Sequence, residues 1–175
     1  MLEPMGTSAD ELVAHYDAAG AVVGRVRRAD MRKHGLWHAA TLVLVRSGDG
    51  SRVYVHRRSP GKDVFPGLYD CWAGGVVAAD ETPEQGAERE LAEELGVRGP
   101  ALEPLFTFAF DQPPLRCHYF AYEVRWDGAV VHQAEEIVSG GWMPLDELRE
   151  WADDPASPLV PYGRRAIQEW SHRRE

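Results

Sequence analysis

Glu90, Glu93 and Glu94 are the residues of this chain best suited to do chemistry. They lie within five positions of one another, downstream of the pair Gly74-Gly75. On a helix, at about 100° per residue, they fall within an arc of roughly 100°. Carboxylates gathered this way can hold a hard divalent cation. Mg²⁺ suits them best, because it takes oxygen ligands, keeps several waters and bridges protein carboxylates to substrate phosphates. No Cys/His cluster with zinc-type spacing accompanies them.

The segment that must position them is locally specified. Thr82 is a good N-cap, Pro83 suits the first helical position, and Gln85 completes a Thr-x-x-Gln capping box. Gly96 supplies a left-handed end. The spacing therefore predicts a helix over about Pro83–Leu95. Ala87, Leu91 and Leu95 form its apolar stripe, which sets the carboxylates at the lip of whatever the helix packs against. The like-charge pairs Glu84/Glu88 and Glu90/Glu94 each cost an isolated helix about 0.2–0.5 kcal/mol. A bound cation would remove that repulsion around Glu90 and Glu94. Acidic runs on helices are commonly solvated faces, but a solvated face does not account for the glycines, Glu81 and Arg89 at their fixed spacings. With ordinary residue frequencies the whole pattern arises by chance in on the order of 10⁻⁹ of windows.

From Gly75 to Val97 the chain resembles the Nudix box, the signature of the Nudix hydrolases, at every defined position. Upstream, Val55–Asp70 and Leu36–Thr41 are similar to the branch of that family that includes isopentenyl-diphosphate isomerases. Downstream, Glu135-Glu136-Ile137 and Gly141–Leu148 resemble its C-terminal strand and helix start. The likeness spans about Leu12 to Trp151. It implies an α/β fold, an α/β/α sandwich with a mixed sheet and a catalytic loop-helix-loop. It also implies Mg²⁺ (or Mn²⁺) as cofactor and hydrolysis of a nucleoside diphosphate linked to another moiety, or of a related small diphosphate. By the motif match, Glu90 and Glu94 are metal ligands, and Glu93 is a further ligand or the base that activates water. Arg89 orients the glutamates, Glu81 braces the loop or reaches metal through water, and Gly75 and Gly96 shape the loop. Glu136 falls where many members carry another acidic residue near the site.

The isomerase branch places an acid/base cysteine in a Cys-Gly-His stretch before the box. Aligned on Gly75, the flanking positions here are Gly74 and Val76, and Cys71 lies three residues before Gly74. The intact Arg-Glu-x-x-Glu-Glu array likewise points to hydrolysis. A second alternative, from another class, is a ligand-sensing module that keeps the fold without chemistry; it usually has degraded glutamates, whereas all are present here.

Composition bounds the partners. The chain has 175 residues and a formal charge of −9, which suits one domain and argues against non-specific nucleic-acid binding. Arg57, Arg58 and Lys62 form a local basic patch that either grips substrate phosphate or belongs to a solvated loop. Two cysteines, Cys71 and Cys117, are too few for a disulfide scaffold and suggest reduced, buried thiols in a cytoplasmic protein. No stretch has membrane-spanning length or signal-peptide character. The expected partner is a small diphosphate, with no membrane and with a monomer or homodimer left open.

Along the chain, residues 1–10 read as a flexible lead and 11–175 as one domain. Leu12–Tyr16 and Ala21–Arg27 flank a turn closed by Gly20, and Ala29–His34 is a short helical stretch. Strands are expected at Leu36–Arg46, Arg52–Arg57, Tyr69–Val77, Leu105–Phe110, Cys117–Trp126 and Ile137–Trp142, and helices at Leu145–Trp151 and Tyr162–Arg173. His38 and His118 read as ordinary hydrogen-bonded strand histidines, and most of the many aromatics as core.

Overall fold

The computed structural model describes residues 8–175; residues 1–7, which make up most of the expected lead, lie outside the described residues. Ser8–Asp10 forms a short 3-10 turn. Strands β1 (Leu12–Tyr16) and β2 (Val22–Arg27) make the expected hairpin. Its turn is held by Asp17 Oδ1, which accepts from the N–H groups of Ala19 and Ala21 at 3.0 and 2.9 Å. Helix α1 (Arg28–His34) follows and ends on left-handed Gly35.

The main sheet is built on β3 (His38–Arg46), buried at every position. Such a strand reads as a continuous apolar run because helices cover both faces. Its neighbour β8 (Leu115–Arg125) runs parallel to it, and β7 (Glu103–Gln112) pairs antiparallel with β8. On the other side β3 meets β4 (Arg52–Arg58) at only one pair, Arg46↔Val53. Beyond it the two strands diverge, and the V between them is filled by β5 (Tyr69–Asp70), which pairs with β4, and β6 (Trp72–Ala73), which pairs with β3. Strand β9 (Ile137–Pro144) completes the sheet on β4.

One expectation is corrected here. Tyr69–Val77 is not a single strand: it crosses from β4 to β3 at Cys71, because no single partner runs alongside its whole length. The crossing also brings Gly74 against β3, where a Cβ would stand 1.9 Å from the Thr41 carbonyl oxygen. Only glycine fits there.

Helix α2 (Pro83–Leu95) lays Ala87, Leu91 and Leu95 on Val43, Val45, Tyr122 and Val124. On the opposite face α3 (Leu145–Asp153) and α4 (Pro161–His172) bury Leu148, Ala166, Ile167 and Trp170 against Leu42, Leu44, Val53 and Trp72. The result is the mixed α/β/α sandwich. Cys71 and Cys117 are free and buried. Among the described residues, no helix is long and apolar enough to cross a membrane.

Candidate active site

Helix α2 starts as its sequence dictates. Thr82 Oγ1 accepts from the Gln85 N–H at 3.2 Å, and Gln85 Oε1 accepts from the Thr82 N–H at 2.9 Å. Gly96 ends the helix at φ 65°, its N–H donating to the Ala92 carbonyl while the Val97 N–H donates to the Leu91 carbonyl. With both ends pinned and the apolar stripe buried, Glu90 and Glu94 are forced under the Gly74-Gly75 crossing. A Cβ on Gly75 would lie 2.6 Å from Glu90 Oε1.

Arg89 ties the loop to the helix. It donates through Nη2 and Nε to Glu81 Oε1 and Oε2 at 2.7 and 3.0 Å, and through Nη1 to Glu90 Oε1 at 2.8 Å. Glu81 in turn accepts from the Ala78 N–H at 2.9 Å. This fork is the bidentate arrangement only Arg can make. Burial works to raise the Glu81 carboxyl, but the Arg89 and Ala78 hydrogen bonds outweigh it and hold the group below the ordinary carboxylate range. The same Glu81 bond raises the Arg89 guanidinium.

Glu90 and Glu94 are different. Burial raises Glu90, with Arg89 opposing. Glu94 is only 5% exposed and receives one hydrogen bond, from the Gly74 N–H at 3.2 Å. Burial, followed by the Glu90 charge, pushes it up to about 8. Lys62 and Glu136 are close enough to act on it electrostatically, and they form an ion pair with each other. Glu136 reaches this point because the Ser59 N–H donates to its carbonyl at 2.9 Å, just before β9 begins.

Glu93 is not gathered in. Its side chain is 47% exposed and leans on Arg89 Nη1 at 3.3 Å. Among the described residues no three His, Cys, Asp or Glu groups converge on one point. The donor set nevertheless fits a hard cation: buried Glu94 and partly buried Glu90 stand one helical turn apart, packed so closely under the glycine crossing that a Cβ on Gly75 would meet Glu90. Mg²⁺ needs only one or two carboxylates when water and phosphate supply the rest. Glu90 and Glu94 could hold it; Glu93 is turned toward Arg89 and solvent.

The basic patch also divides. Lys62 lines the cleft beside Gly74 and Gly75. Arg58 also borders it, but its donors are taken by the Val64 and Phe65 carbonyls at 2.8 and 3.3 Å and the Tyr162 hydroxyl at 3.1 Å. Arg58 therefore holds the loop before β5. Arg57 projects from the other side of β4, donating to the Gly67 carbonyl at 3.0 Å and covering the Tyr69 ring. Strand alternation places neighbours such as Arg57 and Arg58 on opposite faces. Sequence reasoning overlooked Arg28, Arg32 and Asp63, which line the same cleft. The i,i+4 spacing of the two arginines on α1 was the available signal. His38, read as an ordinary strand histidine, also borders the cleft, whereas His118 hydrogen-bonds to the Asp17 carbonyl at 2.8 Å.

An α/β/α sandwich with a capped glutamate helix under a glycine crossing defines a class, and comparison with known proteins gives it a name. The NUDIX domain model matches residues 36–162, and the chain belongs to the Nudix hydrolase family. It is 47% identical over 171 residues to the uncharacterized Nudix hydrolase orf19 of Rhodococcus erythropolis, covering 93% of this chain and 92% of that one. Among solved structures it is similar to DR0079 of Deinococcus radiodurans, with a TM-score of 0.77 and 26% identity over 91% of this chain and 98% of that one. The NUDIX domain of Shewanella oneidensis NrtR, crystallised with ADP ribose, shares the fold at a TM-score of 0.61 and 22% identity, covering 79% of this chain and 88% of that chain.

Proposed function

We propose that this protein hydrolyses the phosphoanhydride bond of a small diphosphate, a nucleoside diphosphate linked to another moiety or a related compound, with Mg²⁺ (Mn²⁺ as substitute) held by Glu90 and Glu94. The observation that carries this reading is Glu94, a buried carboxylate whose one hydrogen bond comes from a neutral backbone N–H. Leaving a charge in that state costs free energy unless a ligand completes it.

When bound, the cation supplies Lewis acidity toward a phosphoryl oxygen and neutralises charge that builds up in the reaction. Everything else falls to the chain. Arg89, fixed by Glu81, holds Glu90 in place through its remaining Nη1 donor. The glycine crossing lets its backbone close down on Glu90, which a Cβ on Gly75 would displace. Lys62 sits where it can balance phosphate charge. Glu136, beside Glu94 and paired with Lys62, is better placed than outward-leaning Glu93 to take the proton from the attacking water.

The test is phosphate release from a panel of nucleoside diphosphate derivatives with Mg²⁺ and with Mn²⁺, for the wild type, Glu90→Gln and Glu94→Gln. Turnover is expected in the wild type and a loss of at least about 100-fold in each variant. Undiminished turnover in either variant would remove the assignment. Metal-dependent turnover on any member of the panel excludes a ligand-sensing module.

A further inference from the structure

Beyond Gly74 and Gly75 the cleft is walled by Arg28, Arg32, His38 and Asp63, none of which has a part in the hydrolytic step described above. Arg28 Nη2 and Arg32 Nε donate to the same oxygen, Asp63 Oδ2, at 3.3 and 3.0 Å. One carboxylate thus faces two guanidiniums, and a net positive charge remains. A guanidinium has five N–H donors. Among the described residues, no protein acceptor is assigned to Arg32 Nη1 or Nη2, or to Arg28 Nε or Nη1.

Asp63 is 43% exposed, but the two arginines are drawn further in. The Arg28 and Arg32 side chains are 18% and 24% exposed, against 58% for Arg25 in its pair with Asp80. Arg32 is near enough to His38, Cys117 and Tyr119 to act on all three electrostatically, so its charge projects inward. His38 Nδ1 lies 3.0 Å from the Leu36 carbonyl. A carbonyl can only accept, so in the neutral ring that nitrogen carries the proton and Nε2 is an acceptor.

Size limits what can enter. The cleft that the arginines share with Gly74, Gly75, Arg58 and Lys62 holds about 60 Å³ in all. At roughly 10–15 Å³ per water, that is room for a few waters or one phosphoryl or carboxylate group. A second, less polar hollow of about 330 Å³ opens beside it, lined by Phe65, Pro113 and Pro114 and sharing Arg32 and Asp63 with the first. Arg32 therefore stands between a small polar space next to the glycine crossing and a larger apolar one.

We propose that Arg28 and Arg32, held on one side by Asp63, form an anion subsite for a further phosphoryl or carboxylate group on the substrate. The enzyme then favours diphosphates with a charged tail over those with a neutral one. This specificity rests on the hydrolase reading, but the anion binding itself requires neither metal nor turnover.

Calorimetric titration of the full-length, metal-stripped protein with inorganic phosphate and, separately, acetate tests the subsite. Saturable binding of at least one anion is expected in the wild type. Binding should be at least tenfold weaker in the Arg28→Gln/Arg32→Gln double variant and in Arg32→Gln alone, and largely restored in Arg32→Lys. Glu90→Gln, expected to abolish hydrolysis, should still bind the anion, which separates failure of this subsite from failure of the hydrolase reading. Preference for phosphate over acetate assigns a phosphoryl group, and the reverse a carboxylate. In turnover, Arg32→Gln should raise KM about tenfold for charged-tail substrates, leaving kcat and neutral-tail substrates unaffected. No anion binding in the wild type, equal binding in wild type and Arg32→Gln, or an equal rise in KM for both substrate types would overturn the proposal.

Discussion

Two buried glutamates on opposite faces of the sheet are treated in opposite ways. Glu123, on β8, is 2% exposed and the chain satisfies it fully. Arg46 Nη1 and Arg174 Nη2 donate to it at 2.9 Å each, Trp170 Nε1 at 3.0 Å, and Arg125 Nε stands 3.3 Å away. Glu94, on α2, is nearly as buried and receives one backbone N–H. The first carboxylate is a fastening that joins the C-terminal helix to the sheet. The second has no basic side chain bonded to it, and burial raises its carboxyl instead. Burial alone does not separate a structural carboxylate from a functional one; how much of its charge the chain itself balances does.

The comparison breaks most sharply at Glu123. Glu123→Ala strands Arg46, which is itself buried, and should cost about 3–5 kcal/mol of stability in chemical denaturation while turnover in the surviving folded protein stays near wild type. A loss of turnover with no loss of stability would erase the contrast. Glu94→Gln should show the reverse. It should cost about 3 kcal/mol or more in transition-state stabilisation, while the metal-free protein becomes no less stable, because a neutral amide is cheaper to bury. It should also abolish the rise in melting temperature that millimolar Mg²⁺ gives the wild type by mass action. A rise of equal size in Glu94→Gln would place the ion elsewhere.

His56 sharpens the comparison as a third buried group. It is 3% exposed, and its Nδ1 has no hydrogen-bond partner. Burial, then the charges of Arg58, His132 and Lys62, lower it to about 3. Because the folded-state value lies below the unfolded one, the unfolded chain takes the proton first. Stability is therefore complete above about pH 6.5 and is lost as pH falls toward 3, amounting to about 2 kcal/mol by pH 5. His56→Gln should flatten that decline in denaturation midpoints between pH 7 and pH 5; an unchanged slope would contradict it. The smallest effect belongs to the helix that carries Glu94. Thr82→Ala should cost about 1 kcal/mol in thermal unfolding and leave turnover near wild type.

The sequence by itself determined helix α2, both of its caps, the buried stripe and the arc of glutamates, since all of these depend on residues within a few positions of one another. The same holds for the β1–β2 hairpin and the outlines of most strands. Tertiary structure decided how each glutamate is placed. Glu94 is sealed in and Glu93 left outside because the glycine crossing covers one side of the helix only, and that crossing exists because β3 and β4 part after one pair. It also decided the basic groups. Arg58 lies next to Arg57 in sequence, yet its donors go to the carbonyls of its own loop, whereas Arg28 and Arg32 reach the cleft from a helix far upstream. Contacts between distant segments depend on how strands pair and which face each residue presents, and local patterns do not encode that.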